Sequence, residues 1–157
     1  MTDLSLEEKI HRLYASHEIK NLKALYCAYC DDNYNPRGLA SLFTENAVWD
    51  GGPEFGRHSG RDAIRDFFAN VSGNILFAAH LVMNPIIEVS KDRATGQWRL
   101  IMPCTVREPN QEAEAKWLLS KYDEEYEFSD SKWLFSKMTV ESQFYSGHKE
   151  GWAQDTI

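Results

Sequence analysis

The stretch Tyr26–Asp32 reads YCAYCDD and brings thiols, phenols and carboxylates together within two helical turns. Cys27 and Cys30 form a Cys-x-x-Cys pair, the spacing of redox dithiols and of half a structural zinc site. Redox work requires a thiolate, which is stabilised at a helix N-terminus where the dipole is positive. This pair falls in the last turns of a helical pattern, the unfavourable end. A closed zinc site needs four ligands, and Cys104 stands alone in a strand-like run. The expectation is that the thiols pack as small hydrophobes. The second candidate is His80, which interrupts the apolar run ILFAAHLVM. An imidazole in such surroundings needs a partner, either backbone in a core or a carboxylate in a site. With an ordinary imidazole pKa near ~6.5, a neutral histidine can take up a proton at neutral pH. His11, His17, His58 and His148 lie in polar contexts and read as exposed.

The elements that must position these groups change type along the chain. Leu6 to Tyr14 reads as a short helix, and Ser16 is suited to cap a second one over His17 to Cys30. Ile19, Leu22, Tyr26, Tyr29 and Cys30 share one face of that helix. At 100° per residue, Asp31 lies about 140° from Tyr26 on the wheel, so it must enter a site from the helix end, where DDNYNP bends the chain. Asp32 competes with it, and the helical pattern does not choose between them. Pro36 to Phe43 reads as a third short helix. NAVWD is a strand ended by Gly51 and Gly52, and RDAIRDFFANV an amphipathic helix burying Ile64, Phe67, Phe68 and Val71, ended by Gly73. Four long strands follow: AAHLVMNPIIEVS, QWRLIMPCTVRE, AKWLLSKYDEEYEF and KWLFSKMTVESQFY. The turn signals KDRATG, EPNQE and SDSK separate them. Helices first and an antiparallel meander afterwards give an α+β fold with helices packed on one face of a sheet.

The 157 residues suit a single domain over 1–157. Aromatic residues make up 13%, more than a minimal core requires, and such residues often line apolar cavities. A net charge of −7 argues against nucleic acid as a partner. The sequence shows neither a secretory leader nor an apolar run long enough to span a bilayer. The expected setting is cytoplasmic, with reduced thiols and no membrane association.

Four stretches in order, EIKNLKALYCAYCD, LASLFTENAVWD, GRHSGRDAIRDFF and AHLVMNPIIEV, resemble the SnoaL-like branch of the nuclear transport factor 2-like superfamily. The resemblance covers about residues 17 to 90, with weaker support from WLFSKMTVESQFY. It implies a cone: a strongly curved antiparallel sheet whose N-terminal helices close an apolar pocket. Members include lyases such as scytalone dehydratase, bile-acid 7α-dehydratase and hexachlorocyclohexane dehydrochlorinase, as well as isomerases, cyclases and non-catalytic assembly subunits. In the lyases a histidine at the position of His80 is the catalytic base, and an aspartate at the position of Asp31 orients it. Tyr26 matches the position where the dehydratases have a tyrosine and the dehydrochlorinase a lysine, where a phenol is suited to bond a substrate oxygen or stabilise an enolate, and Trp49 matches an aromatic position in the pocket wall. Asn84 completes a His-x-x-x-Asn pattern, as a substrate contact or as a bond to backbone where the strand turns at Pro85. The dehydrochlorinase has an arginine where this chain has Phe128, which weakens halide elimination; Arg107 and Lys121 are the nearby cations. The resemblance thus implies dehydratase-type elimination from a small apolar cyclic substrate, without metal or organic cofactor. Isomerisation or cyclisation by the same dyad, or a non-catalytic binding or assembly role, are the alternatives. A homodimer or homotrimer is expected, because an exposed sheet face needs covering.

Overall fold

The N-terminal third is one long helix, not two. In the computed structural model, which describes residues 4–149 and 151, α1 runs Leu6–Asp31. Its cap is Ser5: the Ser5 hydroxyl accepts from the Glu8 amide at 3.2 Å, and the Glu8 carboxylate accepts from the Ser5 amide at 2.8 Å. This reciprocal pair satisfies two of the free donors of the first turn. Ser16 lies inside the helix because nothing around it breaks the chain. The buried face continues through Ala15, Ile19, Leu22, Tyr26 and Cys30.

Asn33 and Tyr34 then adopt left-handed backbone, φ 51° and 52°. The Tyr34 amide bonds Cys30 O and the Asn35 amide bonds Tyr29 O, at 3.0 and 2.9 Å, which closes the helix. The next helix, α2, covers Pro36–Ser41, with the Asn35 side chain accepting from the Gly38 amide at 3.0 Å. It stops short of the expected Phe43, which instead opens strand β1, Phe43–Asp50, as a fully buried residue.

A short helix α3, Gly52–Phe55, and strand β2, Arg57–Ser59, precede α4, Arg61–Val71. Ile64 and Phe68 of α4 are buried, and Phe67 and Val71 pack partly buried against the same core. Strands β3, Ile75–Ala78, and β4, Leu81–Ser90, both pair with β5, Arg93–Val106. β6, Glu114–Ser129, and β7, Lys132–Gly147, complete the meander. The turn before β5 is only Lys91–Asp92, so Arg93 to Gly96, expected as turn, is strand. Asp130 and Ser131, both at positive φ, make the equally tight β6–β7 connection.

The sheet order is β2-β1-β7-β6-β5-β3, with β4 also on β5. β1 joins β7 in parallel, and the other pairs are antiparallel. Register shifts at Leu119/Ser120 and Glu125/Tyr126 bend the long β6–β7 ribbon. Gly96 permits a close crossing, because a Cβ there would meet Tyr126 Oη at 2.6 Å. The core fills the concave side of the sheet and is closed by α1, α2 and α4. This is the α+β cone expected from the sequence. Residues 1–3, 150 and 152–157 of the single domain expected over 1–157 lie outside the described residues. Among those described, no helix is long and apolar enough to cross a membrane.

Candidate active site

His80 occupies the break between β3 and β4. The Ala79 amide still reaches Pro103 O on β5 at 3.1 Å, and pairing resumes at Leu81 with Ile101. Between them the His80 amide is turned toward the end of α1, where the Asp31 carboxylate accepts it at 3.0 and 3.3 Å. The same carboxylate lies 2.7 Å from His80 Nδ1. A carboxylate only accepts, so Nδ1 carries the proton and Nε2 is left as the basic nitrogen. Asp31, not Asp32, makes this contact. Asp32 is exposed and accepts from Asn35 Nδ2 at 3.2 Å. The His80 side chain is 6% exposed and that of Asp31 37%. As the last residue of α1, Asp31 keeps part of its side chain in water.

The His80 ring lines an aromatic cavity together with Tyr26, Tyr34, Trp49, Phe68 and Tyr122. Its free space is about 50 Å³, room for water but not for a ring. Outside it lies a groove of about 560 Å³, and Phe55, Phe67 and Ile75 line both spaces. Val71, Met102 and Leu118 also line both, so the cavity wall as a whole separates the two spaces.

Of the residues singled out from the sequence, Tyr26 and Trp49 meet in this wall, with Trp49 Nε1 donating to Tyr26 Oη at 3.1 Å. Tyr26 is held edge-on by Phe43, Phe68, Tyr122 and Phe135. Asn84 is elsewhere: it is exposed at φ 54°, in the register shift of β4 against β5, and not in the cavity lining. The extra residue of the bulge carries it away from the concave face. His58, expected to be exposed, is half-buried. It stacks on Phe67 at 4.2 Å and donates from Nε2 to Phe55 O at 2.8 Å. Phe128 is exposed against Trp133. Arg107 is exposed, and Lys121 is out of phase with the inward residues Leu118, Ser120 and Tyr122 of β6. None of these three lines the cavity.

The cation that does approach the cavity is one the sequence reading missed. Lys23, fully buried, places Nζ 2.5 Å from Glu124 Oε1 and 3.2 Å from the centre of the Tyr122 ring. Tyr126 donates to the other Glu124 oxygen and accepts from Trp98 Nε1 at 3.0 Å. The signal was present: Lys23 falls on the α1 face of Ile19, Leu22 and Tyr26. Glu124 shares the inward phase of Tyr122 and Tyr126.

The thiols pack as expected. All three are free and buried, and burial pushes Cys27 up to about 11. Burial likewise raises Cys30 and Cys104. A thiol reagent at pH 8 should therefore react slowly with the native protein and rapidly with all three thiols in denaturant, as a thiol titration would record. Raised folded pKa values also mean that the unfolded state ionises first. Stability should fall as pH climbs from about 9 toward about 11, the interval between the ordinary thiol value and that of Cys27. Full native reactivity at pH 8 would contradict this packing.

A curved sheet closed by helices around an aromatic hollow is the nuclear transport factor 2-like fold, here with a histidine and a carboxylate in contact at the hollow. The chain belongs to the SnoaL-like domain family, whose model matches residues 11–139. Among solved structures it is similar to hexachlorocyclohexane dehydrochlorinase type 3 from Novosphingobium barchaimii LL02. That match has 23% identity over 88% of this chain and 93% of the other, with a TM-score of 0.78. A scytalone dehydratase-like protein from Novosphingobium aromaticivorans matches at 22% over 87% and 89%, TM-score 0.76. A nuclear transport factor 2-like protein with a cystatin-like fold from the same organism matches at 19% over 89% and 90%, TM-score 0.69. No curated protein matches the chain.

Proposed function

We propose that this protein is a cofactor-independent lyase that eliminates water from a small, mostly apolar cyclic substrate. The observation that carries the reading is the 2.7 Å contact of His80 Nδ1 with Asp31, made by a ring that also lines an aromatic cavity. His80 Nε2 takes a proton from a ring carbon. The C–H electron pair becomes the new C=C bond as the neighbouring C–O bond breaks. The leaving hydroxide recovers the proton from the imidazolium and departs as water. Asp31 holds the tautomer and offsets the imidazolium charge while it exists. Tyr26 keeps a proton to donate to a substrate oxygen, because Trp49 donates to it rather than accepting. Dehydratase and dehydrochlorinase relatives with this fold support the choice of elimination. A non-catalytic role predicts that His80 is packed away from Asp31 or has no open cavity beside it; the 2.7 Å contact speaks against the first, while the second stays an alternative because the free space beside the ring is only about 50 Å³. An apolar stripe on α1, with Leu6, Ile10, Leu13 and Tyr14 exposed, supports a homodimer or homotrimer.

The test is a screen of hydroxylated cyclic compounds for enzyme-dependent loss of water, read as new ultraviolet absorbance and confirmed by mass. Wild type and His80→Ala are compared side by side. Turnover by wild type alone supports the reading; equal turnover by both removes His80 from the chemistry.

A further inference from the structure

Two cavity hydroxyls have no assigned work. Tyr34 and Tyr122 are 6% and 3% exposed and both line the cavity with His80. Among the described residues neither makes a side-chain hydrogen bond, whereas Tyr26 is engaged by Trp49 and Tyr126 by Glu124 and Trp98. Nor is either sealed off: the one sealed, unpartnered side-chain polar atom among the described residues is Ser120 Oγ. A buried hydroxyl without a partner is costly, so two of them open to one apolar cavity point to a ligand that completes them.

The backbone supports a positional role for Tyr34. Its left-handed φ of 52° is uncommon for a bulky residue, and such outliers gather at binding sites. This conformation lays the ring parallel to Phe68 at 6.2 Å and edge-on to His80 at 5.8 Å. Tyr122 is held from the other side by the Lys23 ammonium beneath its ring. Burial raises both phenols above their ordinary value, so both stay protonated.

We infer that Tyr34 and Tyr122 are the paired donors for a substrate oxygen. The ligand then carries a ring carbonyl or hydroxyl beside the carbon that His80 deprotonates; this position relative to His80 rests on the lyase reading. The donors also strengthen as charge grows on that oxygen.

The experiment uses two probes of equal shape, cyclohexanone and methylenecyclohexane, with binding followed by calorimetry and the carbonyl stretch by infrared difference spectroscopy. Wild type should bind the ketone about tenfold to a hundredfold more tightly than the alkene, as two hydrogen bonds imply, and lower its carbonyl frequency. Tyr34→Phe and Tyr122→Phe should each cut that preference several-fold. The double variant should remove most of the preference and of the frequency shift, down to what Tyr26 alone can supply, while leaving alkene affinity unchanged, which shows the cavity intact. Retention of the preference in the double variant overturns the inference, as does a wild type that does not prefer the ketone. His80→Ala separates the two readings. The ketone preference must survive in it; loss of turnover there tests the lyase reading alone.

Discussion

His80→Ala is expected to lower the elimination rate by about 10²–10⁴, the range over which a positioned general base contributes. The loss should appear in kcat, because the imidazole acts on a proton in flight and not on the resting substrate. Fold integrity is testable in the same sample. The ring is mostly buried and makes one side-chain bond, to a residue already partly in water, so the melting temperature should shift by only a few degrees. Asp31→Asn is the sharper companion. An amide can present its NH₂ to Nδ1, leaving the proton on Nε2 and removing the base. It also loses the charge that offsets the imidazolium. A fall comparable to that of His80→Ala is expected, with the His80 amide contact largely kept. If Asp31→Asn leaves kcat untouched, the dyad is a structural contact only and another group removes the proton.

The fold was legible where residue type dictates local geometry. The span of α4 over RDAIRDFFANV, the apolar phase of its inward residues and the alternation of the last strands all read directly from the chain. The division of α1 did not, because Ser16 is a competent cap in isolation. What overrides it is the continuity of the buried face through Ala15 and Ile19, a tertiary preference that outweighs a local one. The end of α2 shifted for a similar reason: Phe43 is compatible with helix, but pairing with Phe135 on β7 buries it completely. The pairing of His80 with Asp31 was expected from resemblance, whereas the helix wheel opposed it. The helix end and the β3–β4 break bring them together, and neither shows in a periodicity. Tyr34 was invisible because its direction depends on the two left-handed residues that close α1. Lys23 and Glu124 were legible but passed over, since charged residues within amphipathic elements ordinarily face water.

That buried pair yields the largest expected effect on stability. Lys23→Met is expected to destabilise the protein by about 3–5 kcal/mol, the cost of leaving one charge of a buried pair uncompensated. Both side chains are fully shielded from water, so solvent cannot screen the orphaned Glu124 carboxylate. Against a total of roughly 5–15 kcal/mol, such a loss approaches unfolding at physiological temperature. Glu124→Gln should behave similarly, now stranding the ammonium, though the amide can still bond Tyr126. The informative variant is the double Lys23→Met/Glu124→Gln, in which no charge is left buried. Its cost should be well below the sum of the two singles, and urea unfolding at constant m-value would record this as a partial recovery of the midpoint. Simple additivity, or a Lys23→Met cost below about 1 kcal/mol, would mean that the two groups do not compensate each other's charge. The pair also bears on the cavity, because Lys23 sits against the Tyr122 ring and close to Tyr26. Methionine fills a similar volume without the charge. If the double variant folds and still prefers cyclohexanone, the ion pair supports the cavity floor by packing. If it folds and loses that preference, the ammonium positions or polarises Tyr122.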